Sequence, residues 1–533
     1  MHQIQGFLLA ATAALGLASP AAAEWHKAET ENFVIYSEGK EDRVRAFARE
    51  LELYDALLHQ LHGIEQSGNP NRPTIYLVDS YRDVQKLSWR GVGGFYTANE
   101  YGTYAVGQNS RIKTGYYLNG NSILYHEYAH HFMYRNFNSA VPAWYSEAFA
   151  EFYSTTVIED DTIEIGRPAN HRTESLQYYD RDSVADFLLA ERGDSSSYSR
   201  GWLLLHMLQS DPAYAQRLAR YLDDFRNGKS LKEAAQSLGD LDHLTYAVGQ
   251  YGKGKLQFSI IDIADMPAPK ITTSVPDPVE QELISIDLLR RSEGLQDEPI
   301  RLLKKLEAKY PNEPRVHFAL AKAHHDDATF IDSIYDYVEE LRRTLTEEEP
   351  GSKKREGLEK AIAYNLKEYD LDEEPRLRAE QAQAFADAER EVDLVLAAAP
   401  DHARANALKG EILMHKAATG EDDLWREARG YLVKANRLAP EDPLPLYLWH
   451  KAYLESGDAM PEVAHMGLRK AYVLAPESKK IRNALALDMA KLGQFEPAIA
   501  IAKISAYSPH AWTTDRKLLK DIREMAGLPA DEG

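Results

Sequence analysis

Two histidines four residues apart, with a glutamate after the first, form the HExxH element His126-Glu127-Tyr128-Ala129-His130. On a helix such a pair lies about one turn apart on one face, so both imidazoles reach a single Zn²⁺. Glu127 stands beside them, placed to take a proton from a water that such an ion would activate. A third ligand is still needed. The stretch Pro142-Ala143-Trp144-Tyr145-Ser146-Glu147-Ala148-Phe149-Ala150-Glu151 reads as a second amphipathic helix entered through a proline. In it Glu147 and Glu151 share a face.

HEYAH followed by AWYSEAFAEF resembles the gluzincin metallopeptidases, whose pattern is HExxH and then a W-x-x-E-x-x-A/E helix. The resemblance implies that Glu147 is the third zinc ligand and that Glu151 orients His126. Sixteen residues separate His130 from Glu147, slightly fewer than the family commonly has. Glu151 also stands where its best-known members carry aspartate. The rival HExxHxxGxxH pattern is excluded, because Met133 occupies its glycine position and Asn136 its third histidine position, and His131 is read as structural.

Further on, Tyr198-Ser199-Arg200-Gly201 is similar to the Y-x-x-G helix start of the aminopeptidase branch, where the tyrosine donates to the developing oxyanion. That likeness implies Tyr198 as the electrophile, with Arg200 a weaker second, and packing at a helix start is the alternative. The branch's GxMEN loop has no match. Glu100 lies at a broadly similar distance upstream, where it would bind a substrate amino terminus, and His171 reads as a surface residue.

These groups need a scaffold. Ile123, Leu124, Ala129, Phe132 and Met133 fit a buried helix around the motif, with Asn119, Asn121 or Ser122 to cap it. Upstream, short β-rich runs at Asn32–Ser37 and Pro73–Val78, a helix from about Glu41 to Leu61 and a Gly-punctuated hairpin over Gly93–Val106 predict a small mixed sheet. An exposed edge of that sheet would hold an extended peptide. Helices from Ser197, Pro212 and Leu231 are expected to close a helical lobe, after a short strand at Asp161–Gly166.

Composition bounds the setting. Residues 1–23 contain no charged side chain and carry an apolar run too short to span a bilayer, with Ala21-Ala22-Ala23 before Glu24. They read as a signal peptide cleaved after Ala23, which predicts a periplasmic or secreted protein with no integral membrane segment in the mature chain. Zero cysteines exclude disulfides and thiolate ligands, leaving any zinc to His and carboxylate. A net charge of −21 disfavours nucleic acid and anionic membranes as partners.

Downstream, prolines at 267, 269, 276 and 278 suggest a linker over 261–280. Beyond it Ala399-Pro400, Ala439-Pro440, Ala475-Pro476 and Ser508-Pro509 recur at spacings of 40, 36 and 33 residues, with an earlier copy at Tyr310-Pro311. These resemble tetratricopeptide repeats, whose period is about 34 residues and whose stacked units leave a concave groove for peptide or protein. The expected fold is therefore α+β for the N-terminal metallopeptidase part, a small mixed sheet (24–116) plus a helical lobe (117–260), followed by an all-α tetratricopeptide-like solenoid (281–533). The expected function is an exported zinc-dependent metallopeptidase acting on peptide or protein substrates, with Glu127 as general base. Two alternatives stand beside it: a repeat-based binding scaffold with a vestigial metallopeptidase domain, and a zinc hydrolase of a non-protein amide.

Overall fold

The computed structural model describes residues 24–66, 68–88, 92–109, 120–169, 172, 183–190, 196–291 and 297–530. The expected leader over 1–23, His171 and Asn119 lie outside them. A mixed sheet with helices comes first, and an all-helical region follows.

Six strands make the sheet: β1 (Trp25–Glu29), β2 (Val34–Glu38), β3 (Thr74–Val78), β4 (Gly94–Asn99), β5 (Gly102–Gln108) and β9 (Thr272–Ser274). Their spatial order is β4-β5-β3-β2-β1-β9. β2, β3 and β5 run parallel, while β4 pairs antiparallel with β5 and closes one edge. α1 (Glu41–His62) and α3 (Gly120–Asn136) both pack against it. α3 sits directly on the β4–β5 hairpin because glycine removes the obstacle: a Cβ at Gly94 would lie 2.7 Å from Ile123, and one at Gly107 as close to Leu124. Asn121 and Ser122 fall inside α3 rather than at its cap, and Asn121 Nδ2 donates to Glu50 of α1 at 2.7 Å.

The rear of α3 is locked to α1. Tyr125 stacks on Tyr54 at 4.3 Å, and Tyr128 donates to the buried Asp55 carboxylate at 2.6 Å. Leu124, Ala129, Phe132 and Met133 are buried as the periodicity predicts. α2 (Tyr81–Leu87) lies between β3 and β4 in sequence, and α4 (Ala143–Ser154) follows α3. α4 departs from the amphipathic expectation, for every one of its residues is buried. It is enclosed by α3 and by the helix Ser196–Ser210.

That crossing depends on Gly201, where an added Cβ would stand 3.1 Å from Ala148 Cβ and 3.4 Å from the Trp144 carbonyl. Gly201→Val is expected to cost about 1–3 kcal/mol by forcing the helices apart. Denaturant unfolding checks this, and an unchanged midpoint would contradict the packing.

The stretch 261–280 is not a bare linker. Ser259–Asp262 forms β8, which pairs with β7 (Thr162–Ile165) in a small sheet completed by β6 (Val157–Ile158), and β9 returns to pair with β1. Pro278 opens the helix Pro278–Arg290 at its first turn, where a missing N–H costs nothing.

The described residues from Pro278 to Met525 are helical and repetitive. Ala399, Ala439 and Ala475 each end a helix with φ near −140° and ψ of 65–79°, the extended conformation that a following proline imposes. In five turns the residue before the proline accepts from the amide three positions on: Glu313 to Tyr310, His402 to Ala399, Asp442 to Ala439, Ser478 to Ala475 and Ala511 to Ser508, at 3.0–3.2 Å. One turn geometry thus restarts each repeat. The charged segment around 347–350 leads into an inserted helix, Lys353–Glu368, with no buried residue.

The array folds back on the N-terminal part. Trp25 donates to Ser285 at 3.0 Å, Lys480 pairs with Glu100 at 2.8 Å, and Tyr134 of α3 meets Ser508 at 2.9 Å. Tyr507 packs edge-on against Phe225 at 4.9 Å. The helix Pro314–Glu347 reaches the last helix, Thr513–Met525, through Glu340, which accepts from Thr513. No helix among the described residues is long and apolar enough to cross a membrane.

Candidate metal centre

α3 and α4 bring together the residues on which the motif depends. His126 Nε2 lies 3.2 Å from His130 Nε2, and Glu147 Oε2 lies 3.5 Å and 3.6 Å from those two nitrogens. Ligands about 2.0–2.1 Å from a common tetrahedral centre stand about 3.4 Å apart, so this triangle has the spacing of a Zn²⁺ face. Both carboxylate oxygens of Glu147 are buried without a hydrogen-bond partner among the described residues. A buried, unsatisfied carboxylate is costly unless an ion or donor meets it. The residues present therefore fit zinc.

Two other His/carboxylate groups show the contrast. Asp488 is bonded by His450 at 2.9 Å and His465 at 2.9 and 3.0 Å, and His317 by Glu391 at 2.8 Å and the Pro311 carbonyl at 3.0 Å. Those are hydrogen-bond lengths, and they tie successive repeat helices together.

The imidazoles of the centre are oriented from behind. His126 Nδ1 faces Glu151 Oε2 at 3.3 Å, and Arg172 grips Glu151 with two donors at 2.9 and 3.1 Å. His130 Nδ1 meets Ser146 Oγ at 3.3 Å. Each arrangement leaves Nε2 turned to the centre, the tautomer a metal ligand needs. Electrostatics follow the same layout. Burial lowers the His126 pKa, but Glu147 and Glu151 outweigh it and push it up to about 10. Burial likewise opposes ionisation of Glu147, and His130 and His126 overcome it, holding the carboxyl well below its usual range. Glu127, half-buried alongside, has its pKa raised by burial against the pull of His126 and His130, as suits a general base.

Tyr198 joins the site. Its ring lies parallel to His126 at 5.8 Å, with the Arg172 guanidinium 4.9 Å from its centroid. Arg200 does not join it: the guanidinium lies over Phe187 at 5.0 Å and donates to the Ser183 carbonyl at 3.0 Å, on the far side of its helix. Glu100 is also unavailable as an amino-terminus receptor, being 3% exposed and paired with Lys480. His131 is structural as expected, bonded to Tyr96 at 2.8 Å.

Sequence reasoning missed Arg172, Ser146 and His510, whose Nε2 lies 3.7 Å from Glu147 Oε1. Ser146 alone carried a signal, as the neighbour of Glu147 on a helix facing His130.

No protein-family model matches the chain, and no curated protein matches it. Among solved structures, a thermophilic TPR protein of Thermus thermophilus is 15% identical with a TM-score of 0.30, covering 47% of this chain and 100% of its own. Human IFIT1, as a dimer with PPP-AAAA, is 13% identical with a TM-score of 0.22, covering 66% of this chain and 91% of its own. At such scores the repeat character of the C-terminal region rests on its own recurring turns.

Proposed function

We propose that this chain is an exported zinc-dependent metallopeptidase of the gluzincin type, with tetratricopeptide-like repeats docked on its catalytic part. The observation that carries the reading is the His126, His130 and Glu147 triangle at ligand spacing, with a buried carboxylate that has no hydrogen bond among the described residues. Zinc, when bound, supplies a Lewis acid that polarises a carbonyl and eases deprotonation of water. His126, His130 and Glu147 would hold it. Glu127 accepts the proton of the attacking water and returns it to the leaving amine. The Tyr198 hydroxyl donates to the developing oxyanion, and Glu151, clamped by Arg172, keeps the His126 Nδ1 proton in place. β4 is the edge strand of the sheet beside α3, the kind of edge on which an extended peptide would pair.

A second reading, a repeat-based binding scaffold with a vestigial metal site, draws support from a cleft of ≈ 540 Å³ lined by Ile300, Phe330, Ile334, Tyr369, Leu377 and Asp387. One experiment separates the two. Purified protein is expected to carry one zinc per chain and to cleave members of a peptide library, losing cleavage to a chelator and regaining it with zinc. Zinc-free protein that takes up none on addition favours the scaffold. Bound zinc with an untouched library points to a non-protein amide.

A further inference from the structure

The five proline turns of the helical region place one residue directly after the proline: Asn312, Asp401, Glu441, Glu477 and His510. Four carry a carboxylate or amide, and only the last carries an imidazole. The last three of these residues meet the N-terminal part of the chain. The Glu441 carbonyl accepts from Asn71 at 3.2 Å, and Glu477 takes Thr103 at 3.3 Å and Arg135 at 3.6 Å. His510 meets Glu147 instead. An acid there would repel a metal-ligating carboxylate, so the break in the pattern falls where charge demands it.

The two oxygens of Glu147 face different ways. Oε2 faces His126 and His130, while Oε1 faces His510 Nε2 at 3.7 Å. Oε1 is buried and has no hydrogen bond among the described residues. The turn that carries His510 is pinned beside it: Tyr134, one helical turn beyond His130 on α3, meets Ser508 at 2.9 Å, and Lys479 donates to the His510 carbonyl at 3.3 Å. The His510 side chain itself is 74% exposed, which leaves its ring room to close the remaining distance of about 0.5 Å to hydrogen-bond length.

We propose that His510 is a positioning residue of the metal centre: its ring N–H donates to Oε1 of Glu147 and fixes that carboxylate for ligation through Oε2. The assignment rests on the zinc-centre reading above. Ligating carboxylates are themselves held by outer donors, and here the donor comes from the far end of the chain. Metal affinity then depends on the last repeat turn being docked, which ties the helical region to the chemistry.

The test compares full-length wild type, His510→Ala and His510→Gln by zinc affinity in chelator competition, by the Co²⁺ absorption spectrum and by melting of the metal-free chains. Loss of the donor should weaken zinc about 10–100-fold and alter the Co²⁺ bands, and glutamine, whose amide also donates, should recover most of both. Metal-free melting should be the same in all three. The proposal fails if His510→Ala binds zinc and Co²⁺ as wild type does, if glutamine is as impaired as alanine, or if lost affinity tracks a lower metal-free melting point. Wild type that takes up no zinc removes the metal centre itself, a different failure from an indifferent His510.

Discussion

Glu127→Gln is expected to lower peptide cleavage about 10²–10⁴-fold while zinc stays bound at one per chain. Glutamine keeps the size and the hydrogen-bonding reach of the side chain but takes up no proton, so the attacking water and the leaving amine lose their common proton carrier. That loss corresponds to about 3–5 kcal/mol of barrier. Glu127 makes no ligand contact in the His126, His130 and Glu147 triangle, which is why the metal should remain. Turnover on a library member, read beside metal analysis of the same preparation, checks the claim. Equal turnover in the two chains would remove Glu127 as general base, and loss of zinc together with activity would make it part of the binding site instead.

Zinc uptake should release a proton, with an affinity that climbs about tenfold per pH unit across the neutral range. The metal-free centre keeps His126 protonated, since Glu147 and Glu151 raise its pKa to about 10 against burial. A ligand must be neutral imidazole, so binding has to displace that proton. Because the folded value lies above the unfolded one of about 6.5, the same interaction stabilises the metal-free fold below pH 6.5. The contribution is lost as pH rises through about 10. Seen from Glu147, whose pKa is depressed, it is present above the unfolded value and fades in acid. Glu147→Gln removes the third ligand and one of the two carboxylates that hold the proton, so stoichiometric zinc and most of the proton release should vanish together. Calorimetry in two buffers of different ionisation enthalpy measures the release. A pH-independent affinity in wild type would contradict the electrostatic layout.

Several elements show where local pattern suffices and where it does not. α1, β3 and the β4–β5 hairpin lie where periodicity and glycine punctuation predict them, because apolar spacing and turn residues are local signals even where the partners, as for β3 between β2 and β5, are remote in sequence. β9 carries no such signal, since Thr272–Ser274 has no apolar alternation; it is held by backbone pairing with β1. Along α4 the spacing predicts an amphipathic helix, with Glu147 and Glu151 on one face. The polar side, Ser146, Glu147 and Glu151 included, is buried as well, for it meets α3 and the side chains of the centre.

The same division holds for the centre. By itself the sequence determined that His126 and His130 share one helical face with Glu127 beside them, and that Glu147 and Glu151 share another, since spacing along a helix is a local property. It also marked the proline turns, whose conformation proline imposes on the residue before it. Tertiary structure alone decided that Arg172 clamps Glu151, that Arg200 turns away while Tyr198 faces His126, and that His510 arrives beside Glu147. The first three are contacts within the N-terminal part, set by how its helices and loops pack, and the last is set by how the repeat array folds back on that part; no periodicity along the chain encodes any of them.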